Sequence, residues 1–293
     1  MHSNHSDPHE VQKEFKFLII ITLAVLILEI IGGLISNSLA LLSDAAHVFT
    51  DLFALSIGFI ALKLAARKAT TAKTFGYHRA EILSALINGI ALILISLWIF
   101  YEAYQRIVSP PEVKTFEMLV VAFIGLAVNL WIIYKLHGYS DLNIRGIFLH
   151  ALGDTLSSIA VIIGGVWITL SQQYIADPVM SIIIAVILLI NSFRLVRESI
   201  HILLEGTPGD IKIDEVINAM KVSGVKEVHD VHIWSICSSM RSLSAHIFTE
   251  DIKLAETENI TKEINKILKE NFNIEHTTLQ FECTECEDWE MKH

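Results

Sequence analysis

Six apolar runs decide what this chain can fold into. They cover residues 17–35, 39–64, 82–104, 118–136, 144–170 and 178–195, and a helix that crosses a bilayer needs about 20 apolar residues. Ser36-Asn37-Ser38 breaks the first run from the second, and Pro110-Pro111 marks a loop after the third. With 53% hydrophobic residues among 293 and a mean hydropathy of +0.52, the chain is too apolar for an ordinary soluble protein. Its start is polar, carries His2, His5 and His9, and lacks the pattern of a removable signal peptide.

Two short stretches inside these runs carry the chemistry. His47 precedes Asp51 by four residues in the second run, and His150 precedes Asp154 by four in the fifth. On a 3.6-residue helix that spacing puts imidazole and carboxylate on one face, one turn apart. Two such helices side by side supply two nitrogens and two oxygens, a tetrahedral set suited to zinc. Ionisable groups at bilayer depth cost about 2.5 to 3.5 kcal/mol each on insertion scales, so matched pairs are hard to explain as packing. Polar groups that merely bind helices together would fit one pair better than two. Ala45, Ala46, Ala151, Gly153, Ser157 and Ser158 permit close approach. Asp44, three residues before His47, reads as a group supporting the ligands or part of an access path, the alternative being contact with interfacial water. Glu29 and Asn88 either line the same cavity or hydrogen-bond locally.

Six spans leave both termini on one side. Lys13, Lys16, Lys63, Arg67, Lys68, Lys73, Arg79, Lys135, Arg145, Arg194 and Arg197 fall on that side, against Arg106 and Lys114 on the other. The excess makes the termini cytoplasmic, which agrees with three cysteines that form no disulfide framework. The net charge of −10 is concentrated in the last third and excludes nucleic acid as a partner.

After Gly206-Thr207-Pro208-Gly209 the apolar runs end. Residues 211–222 and 254–271 read as helices and 228–236, 243–248 and 277–281 as strands. The order αββαβ suits a small ferredoxin-like domain. The expected division is thus a histidine-containing tail at 1–14, a six-helix transmembrane domain at 15–205, and a cytoplasmic metal-binding domain at 206–293. Candidate metal ligands in the last are His229, His246, His276 and Glu282 near strand ends, with the C-x-x-C pair Cys283 and Cys286. That pair is a half-site needing partners, which His2, His5 or His9 would supply. His232 alternates as a core residue. No H-E-x-x-H occurs, which argues against a metalloenzyme. A metal sensor would need no transmembrane quartet.

The paired H-x-x-x-D motifs, Asn37-Ser38-Leu39-Ala40-Leu41-Leu42-Ser43-Asp44, Phe75-Gly76-Tyr77-His78-Arg79-Ala80-Glu81, Leu204-Glu205-Gly206-Thr207-Pro208 and Val228-His229-Asp230-Val231-His232-Ile233-Trp234 together resemble the cation diffusion facilitator family in its zinc-transporting branch. The resemblance implies a homodimeric exporter, not an enzyme, that exchanges cytoplasmic zinc for external protons by alternating access across a bacterial plasma membrane. Histidine at 47 and 150, where the manganese branch has aspartate, implies zinc, with cadmium and cobalt as extras. It also implies a charge pair between Arg79 and Glu205, the alternative being a membrane anchor and a solvated charge. Relatives often have a long histidine-rich loop between spans four and five; here only His137-Gly138-Tyr139-Ser140 stands there.

Overall fold

Each apolar run lies within a long helix: α1 (Pro8–Ser36), α2 (Leu39–Ala65), α3 (Arg79–Val108), α4 (Thr115–Leu136), α5 (Leu142–Ser171) and α6 (Ala176–Leu203). The computed structural model of the chain describes residues 8–65, 67, 69–136 and 142–283, and the side chains within them except at 8–19, 55, 62, 65, 135, 136 and 142–151. Five described stretches are long and apolar enough to cross a membrane, and Ile20–Ser36 in α1 is a shorter apolar stretch.

The break between α1 and α2 is a single turn. Asn37 adopts φ 57°, a left-handed conformation that asparagine tolerates better than most residues. The N–H of Ser38 then reaches back to Gly33 O at 3.1 Å, a helix-ending bond of Schellman type. Ser38 Oγ in turn accepts the N–H of Leu41 at 3.2 Å and caps the next helix. Helices α1, α4 and α5 pack closely because glycines face side chains. A Cβ at Gly32 would meet Val121 Cγ2 at 2.6 Å, and one at Gly165 would meet Leu119 Cδ2 at 2.6 Å.

The chain divides into two compact units, residues 1–56 with 87–194 and residues 57–86 with 195–293. The first has a core that includes Leu41, Ile99, Met118, Val161, Ile168 and Ile184. The second contains α7 (Ile213–Met220), β1 (Val225–Cys237), β2 (Met240–Thr249), α8 (Leu254–Phe272) and β3 (Ile274–Glu282). Strands β1 and β2 form an antiparallel hairpin, and α8 carries the chain to β3, parallel to β2. Ile260, Ile264 and Leu268, spaced by four, bury one face of α8. They join Val216, Met220, Leu243, Ile247 and Ile274 in one core. This is the αββαβ order of a ferredoxin-like domain.

Candidate metal centres

Helix α2 begins under unusual control. Asp177, fully buried in the first turn of α6, accepts Ser38 Oγ at 2.6 Å, Leu39 N at 2.7 Å and Ala40 N at 3.2 Å. Two N–H groups that the first helical turn cannot satisfy internally are thus satisfied by a carboxylate from another helix. Arg106 Nη1, at the end of α3, lies 3.9 Å from Asp177 Oδ2. It donates to Asn37 O at 2.7 Å while Nη2 donates to Asn37 Oδ1 at 3.2 Å.

Two turns further along α2 the histidine-aspartate pair meets α5. His47 Nε2 lies 3.4 Å from Asp154 Oδ1, and His47 Nδ1 lies 3.6 Å from Asp51 Oδ2. Ligands held at about 2.0–2.1 Å by a tetrahedral zinc are about 3.4 Å from one another. The ring therefore stands between two carboxylates, each at the separation expected of two ligands to one zinc ion. One donor from each of His47, Asp51 and Asp154 lies within 4.8 Å of the others. The side chain of His150 lies outside the described residues; its position on α5 is one turn before Asp154.

Asp44 is buried at 2% exposure, and its Oδ2 accepts Ser158 Oγ at 3.3 Å. Glu29, on α1, is also 2% exposed. Asn88 is buried on α3, with no hydrogen-bond partner for its Oδ1 among the described residues.

A second cluster forms on the small sheet. Register places His229 of β1 opposite His246 of β2, and Phe248 of β2 opposite Glu282 of β3. His229 Nε2 is 3.3 Å from Glu282 Oε2, and His246 Nδ1 is 3.1 Å from Glu282 Oε1. Asp230, at φ 49°, faces both His232 Nε2 at 3.0 Å and His246 Nε2 at 3.6 Å. Two imidazoles and a carboxylate with donors within 4.8 Å fit zinc.

His276 does not join this cluster. It precedes Glu282 by six residues of strand, about 20 Å, and stands opposite Ser242 with its ring edge-on to Phe75 at 6.3 Å. Cys283 follows β3 and is exposed. Cys286, His2 and His5 lie outside the described residues, as does the side chain of His9. Arg79 Nη2 donates to Glu205 Oε1 at 2.9 Å, with the two side chains 40% and 62% exposed.

The sequence reading missed Asp177. Its signal is Asp before Pro178 at the start of a helix, which marks a cap; that the carboxylate caps a different helix has no local signature.

Residues 16–204 match the cation efflux transmembrane domain, and residues 208–283 match the cytoplasmic domain of cation efflux proteins. A cadmium, cobalt and zinc/H(+)-K(+) antiporter of Bacillus velezensis is 42% identical over 287 residues, covering 95% of this chain and 91% of the relative. The metal cation efflux system protein CzcD of Cupriavidus metallidurans is 37% identical over 287 residues, covering 97% and 90%. The zinc transporter ZitB of Pectobacterium atrosepticum is 36% identical over 293 residues, covering 97% and 90%. Carboxylates and imidazole gathered between apolar helices, matched along nearly the whole chain, make this a multi-pass membrane transporter of the cation efflux family.

Proposed function

We propose that the chain is a secondary active efflux transporter that exports zinc, with cadmium and cobalt as further substrates, in exchange for protons by alternating access. The observation that carries the reading is the meeting of His47, Asp51 and Asp154 in the apolar stretches of two membrane helices. His150 is the fourth ligand on this reading. Zinc takes neutral imidazole and ionised carboxylate, so protons compete with it for the same atoms. A site open to a more acidic outside takes protons and releases metal; open to the cytoplasm, it loses protons and rebinds metal. Potassium, named beside protons for the Bacillus relative, is a second counter-ion.

Charge asymmetry supports cytoplasmic termini, and bacterial relatives support a bacterial plasma membrane. The working unit is a homodimer, with residues 15–205 transporting and 206–293 binding metal and dimerising. His229, His246 and Glu282 would hold a zinc ion there that stabilises the domain and is not the cargo; Cys283, Cys286 and an amino-terminal histidine would add a further site. Arg79 and Glu205 would link the cytoplasmic ends of α3 and α6.

Zinc flux into proteoliposomes, measured with and without a pH gradient, tests the reading. Flux that follows the gradient is expected. Metal binding with no flux under either condition would instead identify a receptor or sensor.

A further inference from the structure

We propose that Glu29, Asp44 and Ser158 form a second cation site in the transmembrane unit, which takes the alkali counter-ion and not the exported metal. The inference rests on the antiport reading above.

Two observations place these groups together. A Cβ at Gly125 of α4 would stand 2.9 Å from Glu29 Oε1 and 3.7 Å from Ser158 Oγ, so one bare point on α4 is faced by a carboxyl from α1 and a hydroxyl from α5. Ser158 Oγ donates to Asp44 Oδ2 at 3.3 Å, which brings α2 to the same hydroxyl.

Glu29 and Asp44 are each 2% exposed, and Glu29 Oε2 and Asp44 Oδ1 have no hydrogen-bond partner among the described residues. A buried carboxylate either takes up a proton or needs a cation beside it, since leaving it ionised without a partner costs several kcal/mol. No lysine or arginine of these helices can be that partner, since residues 17–62, 115–134 and 146–171 contain none, and the two histidines there that could carry charge, His47 and His150, are neutral when they hold the metal. A divalent ion between His47, Asp51 and Asp154 balances the two carboxylates it touches and leaves Glu29 and Asp44 over. The donors on offer are all oxygen, two carboxylates and a hydroxyl. That set is hard and matches an alkali cation, whereas zinc and cadmium favour the nitrogen-bearing set further along α2.

The test uses the purified full-length protein. In detergent at fixed pH and without zinc, thermal stability is measured in potassium chloride and in N-methylglucamine chloride, for wild type and Glu29→Gln. A saturable potassium-dependent rise in Tm in wild type, lost in Glu29→Gln, is expected. By calorimetry, Glu29→Gln should keep the wild-type zinc stoichiometry. In proteoliposomes with the pH gradient collapsed, zinc flux should drive radioactive rubidium the other way in wild type and not in Glu29→Gln. Gly125→Ala, which crowds Glu29 Oε1, should reproduce the loss if Glu29→Gln fails to fold. No potassium effect in wild type, the same effect in both proteins, or a zinc equivalent lost from Glu29→Gln overturns the site. Zinc flux coupled to protons with rubidium standing still overturns it as well and leaves the antiport reading intact. Absence of any zinc flux counts against antiport, and the potassium arm then decides the site alone.

Discussion

The N–H of Leu39 donates to Asp177 Oδ2 at 2.7 Å, so the first turn of α6 caps the first turn of α2. His47 lies eight residues past Leu39 on the same helix and Asp51 twelve. The cap therefore sets the axial position from which both ligands face α5. It also works as a lock, because the carboxylate is fully buried and its other oxygen accepts Ser38 Oγ and Ala40 N. Asp177→Ala leaves those donors unsatisfied and should lower stability by about 1 to 3 kcal/mol. Asp177→Asn offers only partial rescue, since its one amide oxygen still accepts while its nitrogen turns a donor toward a donor. Thermal melts of the two variants check this; wild-type Tm in Asp177→Asn would show that the charge and second acceptor are dispensable.

The transport ligands give the next expectation. Each of His47→Ala, Asp51→Ala, His150→Ala and Asp154→Ala should abolish zinc flux and leave an inserted, folded protein, because polar cargo donors are not packing elements. His47→Asp replaces a nitrogen by a hard oxygen and should let manganese compete with zinc. Flux assays with competing manganese read the change, and unchanged competition removes His47 from the selectivity argument.

Arg79 and Glu205 join at 2.9 Å in the open. Shielded from water, truncating either would cost about 3 to 5 kcal/mol; exposed by 40% and 62%, the pair should contribute only about 0.2 to 1 kcal/mol. Glu205 also sits at φ 61°, two residues past the end of α6, where the N–H of Gly206 closes back on His201 O at 2.9 Å. Glu205→Gly should therefore lose the ion pair yet relieve the backbone, whereas Glu205→Ala loses the pair alone. A double-mutant cycle of Arg79→Ala and Glu205→Ala measures the coupling, and a value well above about 1 kcal/mol would mean that the pair is shielded in the working dimer.

The membrane helices and the αββαβ order were legible because both rest on local pattern: long apolar runs in one case, alternation and amphipathic spacing in the other. His47 with Asp51 was legible for the same reason, being one helical turn. What pattern does not carry is register between distant segments. His276 and Glu282 share strand parity, so alternation groups them, yet six residues of β3 hold them about 20 Å apart. His229 meets His246 only because of the hairpin register. Asp177 meets Leu39 across 138 residues, with no periodicity to announce it.

That separation along β3 leads to a prediction about the small domain. If His229, His246 and Glu282 hold one zinc ion, removing any of them takes away a ligand whose two partners remain in place. The affinity should fall in each of His229→Ala, His246→Ala and Glu282→Ala, and zinc should lose its stabilising effect on the domain by ordinary linkage. His276→Ala should change neither, because His276 is exposed and packs against Phe75 at the other end of the strand. Asp230→Ala is the more telling variant. Its carboxylate faces His246 Nε2 at 3.6 Å while Glu282 faces Nδ1 at 3.1 Å, so it sets the ring from the far side. Its loss should weaken zinc by about 10- to 100-fold, as for other groups that orient a ligand without touching the metal. Zinc titrations of the full-length protein, with the transport site disabled by Asp154→Ala, separate these cases. Equal losses in His276→Ala and Glu282→Ala would place His276 at the metal after all, through a partner subunit's domain.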